Sequence, residues 1–189
     1  KNNATTVFYG DEQITDPKNQ TGFASHDWAD HNVTGTTVDV AGGKLVVVTD
    51  DGSTQQEGVK LALTLVDGAN SAHAIAAGRT YEISADIQVT AGSTDNTMQF
   101  GIGGNSSTPA FSITGSEVTY TKTVTASNNT SDVQIKLSST SAKDTTTFTV
   151  DNVTIKEMGT AMGWTDADQQ LDIPQTALQS YNQLAWFDG

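Results

Sequence analysis

Cysteine is absent from the sequence, proline occurs only 3 times, and aromatic residues make up 7% of the chain. The first absence removes disulfides, thiol catalysis and Cys-ligated zinc together, and leaves the redox compartment open. Basic residues are also scarce: 9 Lys and Arg stand against 22 Asp and Glu, a formal net charge of −13. A surface of that sign repels phosphate backbones and anionic membrane surfaces, so no nucleic-acid partner is expected. No apolar run approaches the roughly 18 residues that cross a bilayer. With a mean hydropathy of −0.34 and no charged-then-apolar leader at the start, no membrane insertion is expected.

What is present points to β structure. Only 16% of residues are charged, yet the apolar residues fall in short alternating runs, and the polar mass is Thr, Ser, Asn and Gly. Thr suits a pleated, half-exposed surface, and 17 Gly with many Asn and Asp supply turns. A chain of 189 residues is sized for one core with an appendage. Because it begins with Lys, a processed product or a piece of a longer polypeptide is expected.

Between Lys44 and Lys156 the runs recur at the spacing of a sandwich or barrel. Leu45–Val48 follows Gly42-Gly43. Val59, Leu61, Leu63 and Leu65 alternate up to Asp67-Gly68, and Tyr81, Ile83, Ala85, Ile87 and Val89 alternate up to Gly92. Met98-Phe100-Ile102, Phe111-Ile113, Val118-Tyr120 with Val124, and Val133-Ile135-Leu137 follow. In the last run Phe148 and Val150 share one phase while Val153 and Ile155 have slipped by one residue. Strand faces alternate strictly, so burying both pairs requires a bulge near Asp151-Asn152. No segment has a helical apolar period long enough for a core helix. The expected fold is therefore all-β, a jelly-roll sandwich of about eight antiparallel strands in two sheets.

The flanks differ from this middle. Residues 1–32 read as an opening strand at Val7-Phe8-Tyr9 and a loop whose Phe23 and Trp28 plug one edge of the sandwich, residues 33–158 as the sandwich proper, and 159–189 as a linker or assembly arm. The arm carries Trp164, Tyr181, Trp186 and Phe187 without a period that could bury them locally. Large exposed aromatics are adhesive, so a second copy or a neighbouring domain is expected to cover them, making a homo-oligomer.

Ala77-Gly78-Arg79-Thr80-Tyr81-Glu82-Ile83-Ser84-Ala85-Asp86-Ile87 and the closing run Phe148-Thr149-Val150-Asp151-Asn152-Val153-Thr154-Ile155-Lys156-Glu157 resemble strands of carbohydrate-binding modules of the family four and nine type. Asp27-Trp28 and Ala41-Gly42-Gly43-Lys44-Leu45 are similar to an earlier segment of the same modules. The opening Thr5–Glu12 and the stretch Gly163–Leu178 resemble segments bordering such modules in bacteriophage tail and fibre proteins. Leu184–Gly189 looks like the first strand of a laminin G-like domain. The resemblance implies a non-catalytic structural or adhesion module on a virion appendage, extracellular, with other virion proteins and host-surface glycan as partners. A carbohydrate-binding module of a secreted bacterial enzyme, and a subunit of a surface layer or filament, are the alternatives. It also implies a structural Ca2+ between the start of the chain and Asp151, with Asp16, Asp11 and Glu12 as further oxygen donors.

A sugar site needs flat aromatic faces beside amides and carboxylates. The candidates are Glu82, Asp86 and Gln88 on the polar face of the Tyr81 run, Gln99 opposite Met98 and Phe100, and Trp28; Trp28, Tyr81 and Tyr120 serve equally as core anchors. His26, Asp27, Asp30 and His31 have metal-type donors, but two His five apart do not share a helix face, and a polar loop is the better reading. His73 reads as a loop or edge residue. Asp50-Asp51 and Asp166/Asp168 are adjacent acids in turns, whereas glycoside hydrolysis needs two carboxylates across a cleft. No nucleophile elbow or phosphate-cradling loop is present, so no enzyme activity is expected. The sequons at Asn3, Asn32, Asn105 and Asn152 follow from a Thr- and Asn-rich composition.

Overall fold

A computed structural model describes residues 7–14, 16–31, 36–49, 56–63, 75–92, 97–102, 106–130, 132–138 and 145–160. The chain divides into two units, residues 9–158 and a second made of 1–8 with 159–189. The arm aromatics Trp164, Tyr181, Trp186 and Phe187 lie outside the described residues, as do Leu65, Asp67 and His73.

Twelve strands are described: β1 (Val7–Glu12), β2 (Ala29–His31), β3 (Thr37–Ala41), β4 (Lys44–Val48), β5 (Gly58–Ala62), β6 (Thr80–Ala91), β7 (Thr97–Ile102), β8 (Ser106–Ser107), β9 (Phe111–Ser112), β10 (Val118–Thr125), β11 (Asp132–Leu137) and β12 (Thr147–Thr160). Sheet A runs β10-β6-β12-β4-β3, with β1 also pairing β12. Sheet B runs β2-β5-β11-β7-β8, with β9 also pairing β7. Every pairing with a resolved register is antiparallel. This is a jelly-roll sandwich of two antiparallel sheets. Each of the eight runs expected from alternation contains a strand, with Leu63 and Ile113 just past the ends of β5 and β9. Beyond the opening strand, the additions β2, β3 and β8 are short or half-exposed edge pieces, which bury too little apolar surface to leave an alternating signature.

The inner faces of the two sheets make one core. Tyr81, Ile83, Ala85, Ile87 and Val89 of β6 are buried from sheet A, and Met98, Phe100, Ile102, Val133, Ile135 and Leu137 from sheet B. Phe23 and Trp28, from the loop after β1, are buried in the same core. That loop holds its shape through Asn19, whose side chain donates to Asp27 (2.9 Å) and accepts from the Asp27 amide (2.7 Å). The Asn19 carbonyl also accepts from the Trp28 indole N–H at 3.0 Å, satisfying the one polar atom a buried Trp carries.

β12 contains the expected bulge. Its register against β6 shifts between Asp151 and Thr154, and Asn152 takes a left-handed φ of 49°. Phe148, Val150, Val153 and Ile155 are consequently all buried despite the phase slip. The bulge also separates two sets of neighbours. Residues Thr147–Val150 pair with β4, whereas Ile155 meets the end of β1, where the Gln13 amide donates to its carbonyl at 2.9 Å.

Candidate functional site

Each sheet has an outer face, and the sequence-predicted sugar residues are divided between them. Glu82, Asp86 and Gln88 face outward from β6 in sheet A, while Gln99 lies on β7 in sheet B. They do not form one site. Those on sheet A are also engaged with their neighbours. Glu82 accepts from the Tyr9 hydroxyl at 3.1 Å, both oxygens of Asp86 accept, from Thr119 and from Asn152, and Gln88 donates to the Gly115 carbonyl at 2.9 Å. Trp28, the aromatic candidate, packs its ring into the hydrophobic core between the sheets and spends its indole N–H on the Asn19 carbonyl. Its apolar bulk next to Phe23 outweighed the polar loop around it. Tyr81 is a core residue too, its hydroxyl accepting from the Ala76 amide at 2.9 Å, and Tyr120 stacks on Phe111 with ring centroids 4.7 Å apart.

Sheet B presents a different surface. Because Val133, Ile135 and Leu137 turn inward, Asp132, Gln134 and Lys136 turn outward. Register places Gln134 between Lys60 and Gly101, and Lys136 between Gly58 and Gln99. β2 adds His31 beside Gly58. Gln134 and Lys136 are 5% and 4% exposed although they belong to the outer face. They are linked: Lys136 Nζ donates to Gln134 Oε1 (2.9 Å) and Gln56 Oε1 (3.1 Å), Gln134 Nε2 donates to Asp132 Oδ2 (3.1 Å), and Asp132 Oδ1 accepts from the Thr130 hydroxyl (2.6 Å).

Two glycines shape this face. A Cβ on Gly58 would stand 2.2 Å from the Ile135 carbonyl oxygen, so no larger residue fits where β5 meets β11. A Cβ on Gly101 would stand 2.7 Å from Gln134 Oε1, because the Gln134 side chain lies over that glycine.

The electrostatics follow from the burial. Desolvation holds the Lys136 ammonium below the ordinary lysine range, partly offset by Asp132. His31 is pushed down to about 4, first by burial and then by the Lys136 and Lys60 charges, with Asp132 acting the other way. His31 is therefore a neutral imidazole at ordinary pH. Among the described residues this face carries one carboxylate, Asp132, and no Trp, Tyr or Phe ring. Amides and ammonium groups of this kind can hold hydroxyl and carboxylate oxygens.

Sequence reading missed Gln134, Lys136, Lys60, Asp132 and Gln56, and assigned His31 to a loop. The available signal was the polar phase of the Val133-Ile135-Leu137 run, opposite two glycines on the flanking strands.

The acidic residues expected at Ca2+ do not converge. Among the described residues no three Asp, Glu or His side chains group as a metal site. Asp11 is exposed, and Asp16 caps the 3-10 turn Pro17–Asn19 through the Lys18 amide and pairs with the Lys18 ammonium at 3.3 Å. Asp151 accepts from the Asn152 amide at 2.9 Å. Glu12 differs from these three. Its Oε1 accepts from the Ile155 (2.8 Å) and Ile14 (3.1 Å) amides, while its Oε2 is buried without a partner. Burial raises its pKa above the usual carboxylate value, against the opposing pull of those amides. A buried carboxylate oxygen with an open lone pair is one donor that a hard cation could take, out of the roughly six to eight oxygens that Ca2+ needs. His26 and Asp27 are taken up locally, His26 Nδ1 by the Trp28 carbonyl (3.1 Å) and Asp27 by Lys18 (2.9 Å).

No known family matches the chain, and no curated protein matches it. Solved structures do. The CBM22-1 xylan-binding domain of Paenibacillus barcinonensis Xyn10C shares 18% identity over 80% of this chain and 97% of its own, with a TM-score of 0.52. The CBM22-1 and GH10 modules of a Clostridium thermocellum xylanase, complexed with xylohexaose, share 14% identity over 77% of this chain and 28% of that one, with a TM-score of 0.53. A mutant of a family 29 carbohydrate-binding module shares 13% identity over 85% of this chain and 99% of its own, also at 0.53. The chain thus has the fold of carbohydrate-binding modules.

Proposed function

We propose that this chain is a non-catalytic glycan-binding module that holds its ligand across the outer face of sheet B. The observation that carries the reading is the sunken pair Gln134 and Lys136, flanked by Gly58 and Gly101 and continued by half-buried Asp132, in a fold that the chain shares with xylan-binding modules. Polar side chains kept at that depth need partners, and their amide and ammonium hydrogens are suited to sugar oxygens. Among the described residues the face carries one carboxylate where glycoside hydrolysis needs two, which supports a non-catalytic reading. The resemblance of Thr5–Glu12 to segments of phage tail proteins supports display on a virion appendage; the xylanase context of one structural neighbour supports the alternative of a module on a secreted enzyme. Glu12 is the residue that would hold a structural Ca2+, whose role would be to give its buried oxygen a partner.

Affinity electrophoresis of the full chain through gels containing soluble polysaccharides tests the reading. Retardation that disappears in Gln134→Ala while the unfolding midpoint stays within a few degrees supports it. Mobility unchanged in every polysaccharide would reject it.

A further inference from the structure

We propose that the outer face of sheet B selects an anionic polysaccharide, one whose sugar units carry carboxylates, with Lys136 and Lys60 receiving the charge. The inference rests on the glycan reading above and names the class of ligand. Three observations lead to it.

The first is sign. The chain carries 22 acids against 9 bases, yet among the described residues Lys60 and Lys136 stand on this face against Asp132 alone. Repulsion from the rest of the surface is screened beyond about 8 Å at physiological salt, whereas a recessed charge is screened much less. The second is an unfilled donor. An ammonium group has three hydrogens, and Lys136, 4% exposed, places two of them on Gln56 and Gln134. The third has no acceptor among the described residues. Both acceptors are neutral amide oxygens, and the one carboxylate in this hydrogen-bonded row, Asp132, is bonded to Gln134 rather than to Lys136. A desolvated cation so placed gains most from an anion that enters with its own carboxylate.

The third observation is the lack of a stacking ring. Neutral pyranoses present apolar faces that are held by flat aromatics, and among the described residues no Trp, Tyr or Phe projects from the outer side of sheet B. Phe100 and Phe111 turn into the core, and Tyr120 stacks on Phe111. With stacking missing, hydrogen bonds and charge must supply the affinity, and charge-assisted bonds are the stronger of the two.

The test uses the full chain with polygalacturonate and alginate as charged probes. Fully methyl-esterified polygalacturonate has the same backbone without the charge, and cellohexaose and xylohexaose are neutral. Calorimetry should give an affinity for polygalacturonate or alginate about tenfold or more above that for the methyl ester, a preference corresponding to roughly 1.4 kcal/mol. Lys136→Met and Lys60→Gln should each reduce that ratio severalfold. Lys60 is exposed, so its variant remains informative even if the buried substitution impairs folding. Equal affinity for the ester or the neutral oligosaccharides would overturn the charge selection and leave the glycan reading standing. A ratio that survives both substitutions would show the anion to be held elsewhere and overturn the assignment. Binding to none of the probes would remove the charge selection and count against the glycan reading as well.

Discussion

The outer faces of the two sheets have the same alternation and opposite character. On sheet A, polar side chains pair across neighbouring strands in the open: Ser84 with Thr121 at 3.0 Å, Thr80 with Thr125 at 2.9 Å, and Arg79 with Glu157 at 2.7 Å. On sheet B, Gln134 and Lys136 at the equivalent positions of β11 are nearly inaccessible and belong to a connected row from Thr130 to Gln56. The contrast shows that a polar residue on the outward phase of a strand is not thereby a surface residue. Exposed pairs contribute little, because water competes for each bond. Sunken pairs matter more, because a group left unpaired there loses its hydration as well.

Backbone crowding should break the symmetry most strongly. Gly58→Ala puts a methyl against the Ile135 carbonyl and the Lys136 Cα, so it should destabilise by about 3 kcal/mol in urea unfolding. Ser84→Ala on sheet A should stay within about 0.5 kcal/mol. Similar losses in the two variants would mean that the faces do not differ in packing.

A smaller effect should come from pH. His31 titrates at about 4 in the folded chain against an ordinary 6.5, so between those values the unfolded state binds the extra proton. Stability should therefore fall as pH drops from 6.5 to 4, by about 2 kcal/mol once partial exposure is allowed for. His31→Gln should flatten that slope in denaturant titrations across the window. An unchanged slope would place the imidazole in water, as on the other face.

Next in size is the cation expected at Glu12. Millimolar Ca2+ should raise the melting temperature relative to EDTA by roughly 3 °C, the shift that about 1 kcal/mol gives in a unit of this size. Glu12→Gln should abolish the difference, and identical melting curves in the unsubstituted chain would reject calcium. The smallest effect concerns the arm. If the full chain sediments as the expected homo-oligomer in analytical ultracentrifugation, removing residues 161–189, beyond the end of β12, should reduce it to a monomer and leave the sandwich's unfolding midpoint unchanged. Retention of the oligomeric mass would show that Trp164, Tyr181, Trp186 and Phe187 do not join copies.

Much of the fold was legible because it rests on short-range periodicity. The β6 alternation, the Gly42-Gly43 turn with φ of 61° and 77°, and the slip in β12 are each contained within a few residues. The site was far less legible. Glu82, Asp86 and Gln88 have the composition of a sugar site and are engaged with neighbours on sheet A; Lys136, on the polar phase of its run and not singled out by the sequence, is buried. The sequence shows which residues share a phase, but not which sheet receives them.

By itself, then, the chain determined its class of fold, its strand faces and the position of its bulge, because each follows from steric and hydrophobic rules acting between near neighbours. Only the tertiary structure decided that β5, β11 and β7 lie side by side with Gly58 and Gly101 flanking Lys136 and Gln134. Those residues span positions 58 to 136, and their meeting depends on the strand order of the whole sandwich. The depth of a charge, and with it its hydration and pKa, depends on that long-range order, so no local pattern could report it.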